Sequence, residues 1–127
     1  MDLVIDTSAY SAFYRGQADL RPYFVITNNL FIPHVVIGEL RAGFASGTRQ
    51  SENNLMLDKF LDQPNVNILF PTLSTCNVYA QMFALLRRAG TPIGFNDMWI
   101  ASVALEQDLP LLTLDKDFSN IPDLMLA

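Results

Sequence analysis

The segment MWIASVAL, residues 98–105, has Ser102 as its only polar side chain. A helix of that composition has no face to offer water, so the rest of the fold must enclose it nearly all round. The 127 residues make one ordinary domain, 1–127, with a single core. The other apolar runs are short. LVID (3–6), LFIPHVV (30–36), VNILF (66–70) and PLLTLD (110–115) read as four strands, with Pro33 near the end of the second. LMLA, at 124–127, is a candidate terminal strand.

Helical stretches fill the gaps. One covers 7–28, broken near Gly16 and Pro22. A second runs from about 34 to 46, with Gly47 as its stop. A third covers 48–62 and is closed by Pro64. A fourth covers 72–90, with Leu73, Cys76, Ala80, Phe83 and Leu85 or Leu86 on its inner face. Arg87 and Arg88 suit its carboxyl end, and Gly90 stops it. The buried helix begins at Asn96 or Asp97, either of which can cap it. Strands alternating with helices imply a parallel sheet with helices on both faces.

Half the residues are hydrophobic and 17% are charged, which describes a globular chain rather than a disordered one. No apolar run reaches the roughly 20 residues of a membrane helix. The start, MDLVIDTS, has an acid at position two and no basic region, so it does not read as a signal peptide. The single cysteine, Cys76, excludes an internal disulfide and fits a cytoplasmic protein. It is expected to be a buried structural thiol. The net charge of −5 argues against nonspecific nucleic-acid binding through a broad basic face. It leaves room for a nucleic-acid enzyme that uses metal ions.

The acids carry the functional signal. Asp6 ends the first strand and Asp115 the fourth. Asp97 begins the buried helix, Glu39 lies early in the helix after strand two, and Asp117 follows Asp115 by two. Sites in open α/β sheets form just beyond the carboxyl ends of the strands, and a doubly wound topology can bring these residues to one such edge. Setting the five aside leaves eight acids against eight bases. Carboxylates so close to apolar runs either cap backbone ends or hold a cation. As caps, Asp6-Thr7-Ser8 would open a helix, Asp97 would favour a helix dipole, and LDKDF would make a turn. Glu39 would be a solvated helix residue. As a site, clustered carboxylates repel one another and a divalent cation reverses that. Oxygen-only ligands favour Mg²⁺ or Mn²⁺ over Zn²⁺, and the chemistry natural to them is phosphoryl hydrolysis. His34 has no second histidine to pair with and reads as structural; Trp99 reads as core.

An aspartyl-phosphate enzyme or receiver is a rival. The phosphatase form wants an acid two positions after the first, and that position is Ser8. The receiver form wants a lysine after a late strand, and Lys116 sits between two acids.

Four pieces in order, VIDTSAY, IGELRAG, NDMWIASVAL and LLTLDKDF, carry a resemblance. The chain resembles the PIN-domain ribonucleases, particularly the VapC-type toxins of prokaryotic toxin–antitoxin pairs, from end to end. The resemblance implies a PIN fold with a central parallel sheet of four to five strands. It implies Asp6, Glu39 and Asp97 as the principal metal-site acids, Asp115 as the fourth and Asp117 as an additional one. Thr7 or Ser8 and Thr113 would be hydroxyls that hydrogen-bond the carboxylates. Asn96 would sit beside them or cap the helix. The implied activity is endonucleolytic RNA cleavage with Mg²⁺ or Mn²⁺, leaving 5′-phosphate and 3′-hydroxyl ends. Implied partners are an RNA substrate, a cognate antitoxin over the acidic cleft and a second copy in a homodimer. Arg15 and Arg41 are the candidates for RNA phosphate, although Arg41, two residues from Glu39, points to another side of its helix. A PIN-like module that has lost catalysis, and an RNA-processing nuclease that is not a toxin, are the alternatives.

Overall fold

The computed structural model describes residues 1–17 and 19–127; Ala18, within the predicted 7–28 helical stretch, lies outside the described residues. Four strands, β1 (Asp2–Ile5), β2 (Asn29–Pro33), β3 (Val66–Leu69) and β4 (Leu111–Leu112), pair in parallel in the order β3-β2-β1-β4. Leu3, Val4, Ile5 and Ile32 are fully buried. Unbroken apolar runs of this kind are what a parallel sheet covered on two faces requires. The candidate terminal strand closes the β4 edge. The Leu111 amide donates to the Met125 carbonyl at 2.8 Å, and the Ala127 amide to the Leu111 carbonyl at 2.9 Å.

Helices α1 (Thr7–Arg15) and α2 (Arg21–Ile26) link β1 to β2, and α3 (His34–Ala45) and α4 (Gln50–Leu61) link β2 to β3. Helices α5 (Leu73–Ala89) and α6 (Phe95–Glu106) carry the chain back past β1 to β4. Right-handed crossovers then put α1 to α4 over one face and α5 with α6 over the other. The direction of winding reverses at β1 and β4, which opens a crevice beyond their carboxyl ends.

The 7–28 stretch is two helices rather than one. Gly16 ends α1 in the left-handed conformation, at φ 64°. Pro22, expected to break a helix, lies in the first turn of α2. That turn has no intrahelical N–H bond to lose, so proline starts α2. The fourth predicted strand is shorter than 110–115, because Thr113 has already left the ladder.

Helix α6 is enclosed as its composition demands, with Met98, Ile100, Ala101, Ser102, Val103 and Ala104 buried. The Ser102 hydroxyl donates to the Met98 carbonyl at 2.6 Å, which lets one polar group sit in an apolar shell. The helix starts at Phe95 with Gly94 as its N-cap, so Asn96 and Asp97 lie inside the first turn and neither is the cap. Trp99 is half-buried and stacks on Tyr79 at 4.3 Å.

The inner face of α5 differs from the expected one. Its buried residues are Thr75, Met82 and Leu86; Leu73 is 87% exposed and Cys76 is exposed. Thr75 decides the rotation. Its hydroxyl accepts from the Thr72 amide at 2.8 Å and donates to Glu106 Oε1 at 2.6 Å, tying the start of α5 to the end of α6. Thr75→Val keeps the volume and removes both bonds. It is expected to lower stability by about 1–3 kcal/mol in chemical denaturation, because the hydrogen bond to the half-buried Glu106 carboxylate and a cap are lost together.

Candidate active site

Asp6 follows β1 and is 4% exposed. It is the N-cap of α1, accepting from the Ala9 amide at 2.8 Å. Two hydroxyls also donate to it: Ser8 to Oδ1 at 2.7 Å, and Thr113 to Oδ2. Thr113, just past β4, accepts in turn from the Asp115 amide at 3.0 Å. The Leu114 amide donates to the Ser8 hydroxyl at 3.0 Å. This small network locks the ends of β1 and β4 together, 107 residues apart in sequence. Among the described residues no buried side-chain nitrogen or oxygen lacks a partner.

Glu39 sits on α3 and is half-buried, with Oε1 accepting from the Thr7 hydroxyl at 2.7 Å. Asp97 projects from the first turn of α6, half-buried. Asp115 caps the 3₁₀ turn Lys116–Asn120 and accepts from the Asp117 amide at 2.9 Å. The capping and cluster readings are therefore compatible at Asp6 and Asp115, where one carboxylate does both.

Asp6, Glu39, Asp97 and Asp115 line a single cavity of about 370 Å³, walled also by Thr7, Ser8 and Arg15. Sequence reasoning did not single out two further wall residues, Ser11 and Ile100. Both were legible from the helical period, since Ser11 is one turn after Thr7 and Ile100 one turn after Asp97. Asn96 lines an adjoining open groove with Glu39 and Asp97. Asp117 is exposed, and its charge reaches Asp97 without its lining the cavity. Arg41 is engaged elsewhere: its guanidinium donates to Asn54 at 2.7 Å and to Asp58 at 2.8 Å. His34 is exposed beside the Phe70 ring, at 5.8 Å.

The acids feel one another. Partial burial, then the charges of Asp115, Glu39, Asp6 and Asp117, push the Asp97 carboxyl up to about 6. Burial likewise raises Asp6 above the ordinary carboxylate value, against the pull of its donors Thr113, Ala9 and Ser8. A carboxylate resisting ionisation among other carboxylates is the electrostatic signature of a site that wants a cation. The donors are all oxygen, which suits a hard divalent ion. Among the described residues no three acids close into a ready cage. Mg²⁺ does not need one, because it keeps several waters and rests on one or two carboxylates. The residues present fit such an ion.

The chain is similar to known proteins over most of its length. Residues 3–124 match the family model described as PIN domain. The chain is 34% identical over 98 residues to Ribonuclease VapC1 of Haemophilus influenzae strain R2866, covering 76% of this chain and 72% of that one. It is 29% identical over 126 residues to Ribonuclease VapC of Rickettsia bellii, covering 98% and 93%. The solved structure of VapBC-1 from nontypeable H. influenzae superposes with a TM-score of 0.87 at 26% identity, covering 100% of this chain and 97% of that one.

Proposed function

The chain belongs to the PIN-domain family, with VapC ribonucleases among its relatives, and from that premise we propose that it is a divalent-metal-dependent endoribonuclease, the toxin of a toxin–antitoxin pair. The observation that carries the reading is the meeting of Asp6, Glu39, Asp97 and Asp115 in one cavity at the sheet's carboxyl edge, where burial and then the neighbouring acids push Asp97 up to about 6.

Among Asp6, Glu39, Asp97 and Asp115, one or two carboxylates would hold Mg²⁺ or Mn²⁺ directly and the others through its waters. When bound, the ion supplies positive charge against the developing charge of phosphodiester hydrolysis and acidifies the attacking water. The chain's own residues prepare the place. Thr113, Ser8 and the Ala9 amide fix the Asp6 oxygens, so that carboxylate is aimed before any ligand arrives. Thr7 does the same for Glu39. The ionised form of Asp97 would be favoured by a bound ion, against the burial and neighbouring acids that raise its pKa. Arg15, on the cavity wall, is placed to receive an RNA phosphate.

The partners follow from the relatives, whose solved structures include VapBC assemblies. A cognate antitoxin would cover the cleft. The apolar side chains Phe70 and Leu73, 65% and 87% exposed, support protein surfaces on this chain, a second copy among them. No described helix is long and apolar enough to cross a membrane, in keeping with action in the cytoplasm.

The test is incubation with total RNA in Mg²⁺ or Mn²⁺, in EDTA, and in EDTA followed by excess metal. Cuts at discrete positions should appear with metal, vanish with EDTA and return on repletion. Their products should ligate only through a 5′-phosphate. Cuts that persist in EDTA would remove the metal from the reading.

A further inference from the structure

A second cavity, of about 420 Å³, shares a wall with the acidic one. The shared residues are Ser11 and Arg15. With Thr7 they form a stripe at four-residue intervals on one face of α1, leading from the carboxylates toward the helix's far end. Beyond that stripe the lining changes character, to Tyr10, Tyr14, Phe44, Arg49 and Asn53. Among the described residues no lining residue of this cavity is acidic, although Glu52 accepts from Arg49 at its rim. The geometry points to this second cavity as the seat of one unpaired nucleotide of the RNA, adjacent to the phosphodiester over the acids. The inference rests on the ribonuclease reading and deepens it.

Three features fit a nucleotide. The first is an aromatic platform that is already rigid. Tyr14 is 40% exposed, yet its ring is held by Tyr10 at 4.6 Å and by Phe13 at 5.4 Å, and Tyr10 is braced edge-on by Phe60 at 5.2 Å. A fixed, half-open ring offers base stacking with little ordering cost, and any base can use it. The second is cationic. Among the described residues the ion pairs are Arg41–Asp58 and Arg49–Glu52. Arg15 is therefore exposed beside four acids without being paired to them, and its fork is available for phosphate. Arg49 spends Nε and Nη2 on Glu52, which leaves Nη1 for a ligand. The third is Asn53, on α4, whose amide offers both a donor and an acceptor to a base edge. The volume suits one small polar group with an aromatic face. A basic protein arm fits less well, because Arg15 and Arg49 repel it. The arrangement also answers a problem set by the net charge of −5: a polyanion approaching five acids needs a local cationic handle, and Arg15 stands at the junction.

The experiment measures binding apart from cleavage. A 5′-fluorescein decaribonucleotide of random sequence is titrated by anisotropy, in Mg²⁺, against the Asp97→Asn protein, which does not consume it. Adding Tyr14→Leu should raise Kd about tenfold, and Tyr14→Phe should restore it, since the phenyl face stacks equally well. Adding Arg15→Gln should weaken binding and flatten the salt dependence by about 0.7 in the log–log slope. In the cleaving protein, Tyr14→Leu should raise KM about tenfold with kcat within about twofold. An unchanged Kd in Tyr14→Leu, or no RNA binding by the parent, overturns the subsite. If the wild type cuts RNA and Tyr14→Leu leaves KM unchanged, the subsite falls and the nuclease stands. If the wild type never cuts while the anisotropy losses appear as stated, the nuclease reading falls and the RNA site stands. Release of a co-purified protein by Tyr14→Leu, with anisotropy unchanged, would assign the cavity to that protein and remove the nucleotide.

Discussion

Asp97→Asn is expected to reduce metal-dependent RNA cleavage by about a thousandfold, the scale on which a preorganised charge partner matters in a transition state, and to make the protein more stable. The second half of that expectation follows from the sign of the pKa shift. Asp97 sits near 6 in the folded chain against an ordinary 3.8, pushed by burial and by Asp115, Glu39, Asp6 and Asp117. The folded state thus binds this proton more tightly than the unfolded state does. Without metal, the contribution of this group makes stability rise as pH falls from about 6 to about 4, and its cost is fully present above 6. Asparagine removes the charge and with it the cost. Unscreened, the rise would correspond to ~3 kcal/mol. Asp97 is half open to water, so about 1 kcal/mol is expected after screening, or roughly 4 °C in Tm for a domain of this size. Thermal melts of both proteins in EDTA, at pH 4 and pH 8, check it. The gap should be present at pH 8 and nearly closed at pH 4. A mutant no more stable than wild type at pH 8 would mean the acids do not press on Asp97. Saturating Mn²⁺ should raise the Tm of the wild type more than that of the mutant, because binding to the native state alone is stabilising.

Asp6→Ala is expected to abolish cleavage to the same degree but to move stability the other way. Its carboxylate is an acceptor for the Ala9 amide, the Ser8 hydroxyl and the Thr113 hydroxyl. Removing it uncaps α1 and leaves a buried amide hydrogen without a partner. The two hydroxyls already lie 3.3 Å apart and can turn toward each other, which limits the loss to about 2 kcal/mol, or roughly 8 °C. Melts of Asp6→Ala and Asp97→Asn side by side in EDTA at pH 8 should therefore shift in opposite directions from wild type. Two downward shifts would contradict the division of labour between them: burial raises both carboxyls, but Asp6 is held by three donors whereas four acids push Asp97 further.

The strand–helix alternation was legible because each strand is a short unbroken apolar run, and because MWIASVAL could only be an enclosed helix. The acids were legible as strand ends and helix starts, and the motif order carried their convergence further than spacing did. The misreadings have local causes. On α5 the apolar residues Leu73, Cys76, Ala80 and Phe83 keep helical spacing as well as the true inner face does. The face that wins includes Thr75, whose partner Glu106 lies 31 residues away. No local pattern advertises a threonine as the residue that faces in, and Cys76 went out with the rotation. Asn96 and Asp97 are both good capping residues, yet Gly94 took the cap and left Asp97 within the first turn. That placement frees its carboxylate from backbone duty. Arg41 looked available in sequence, but α4 packs close enough for Asn54 and Asp58 to claim it.

The bond between Thr113 and Asp6 has a consequence in time as well as in space. A chain leaving the ribosome presents Asp6 and Glu39 long before Thr113 and Asp115 are made. The crevice depends on a two-residue strand, Leu111–Leu112, clasped between β1 and the final residues. Contacts of such sequence separation form late, since the loop they close costs entropy before it returns contact energy. A half-made copy therefore has Asp6 and Glu39 and no finished crevice. On the ribonuclease reading, the messenger being read would be shielded from its own product until synthesis has passed β4.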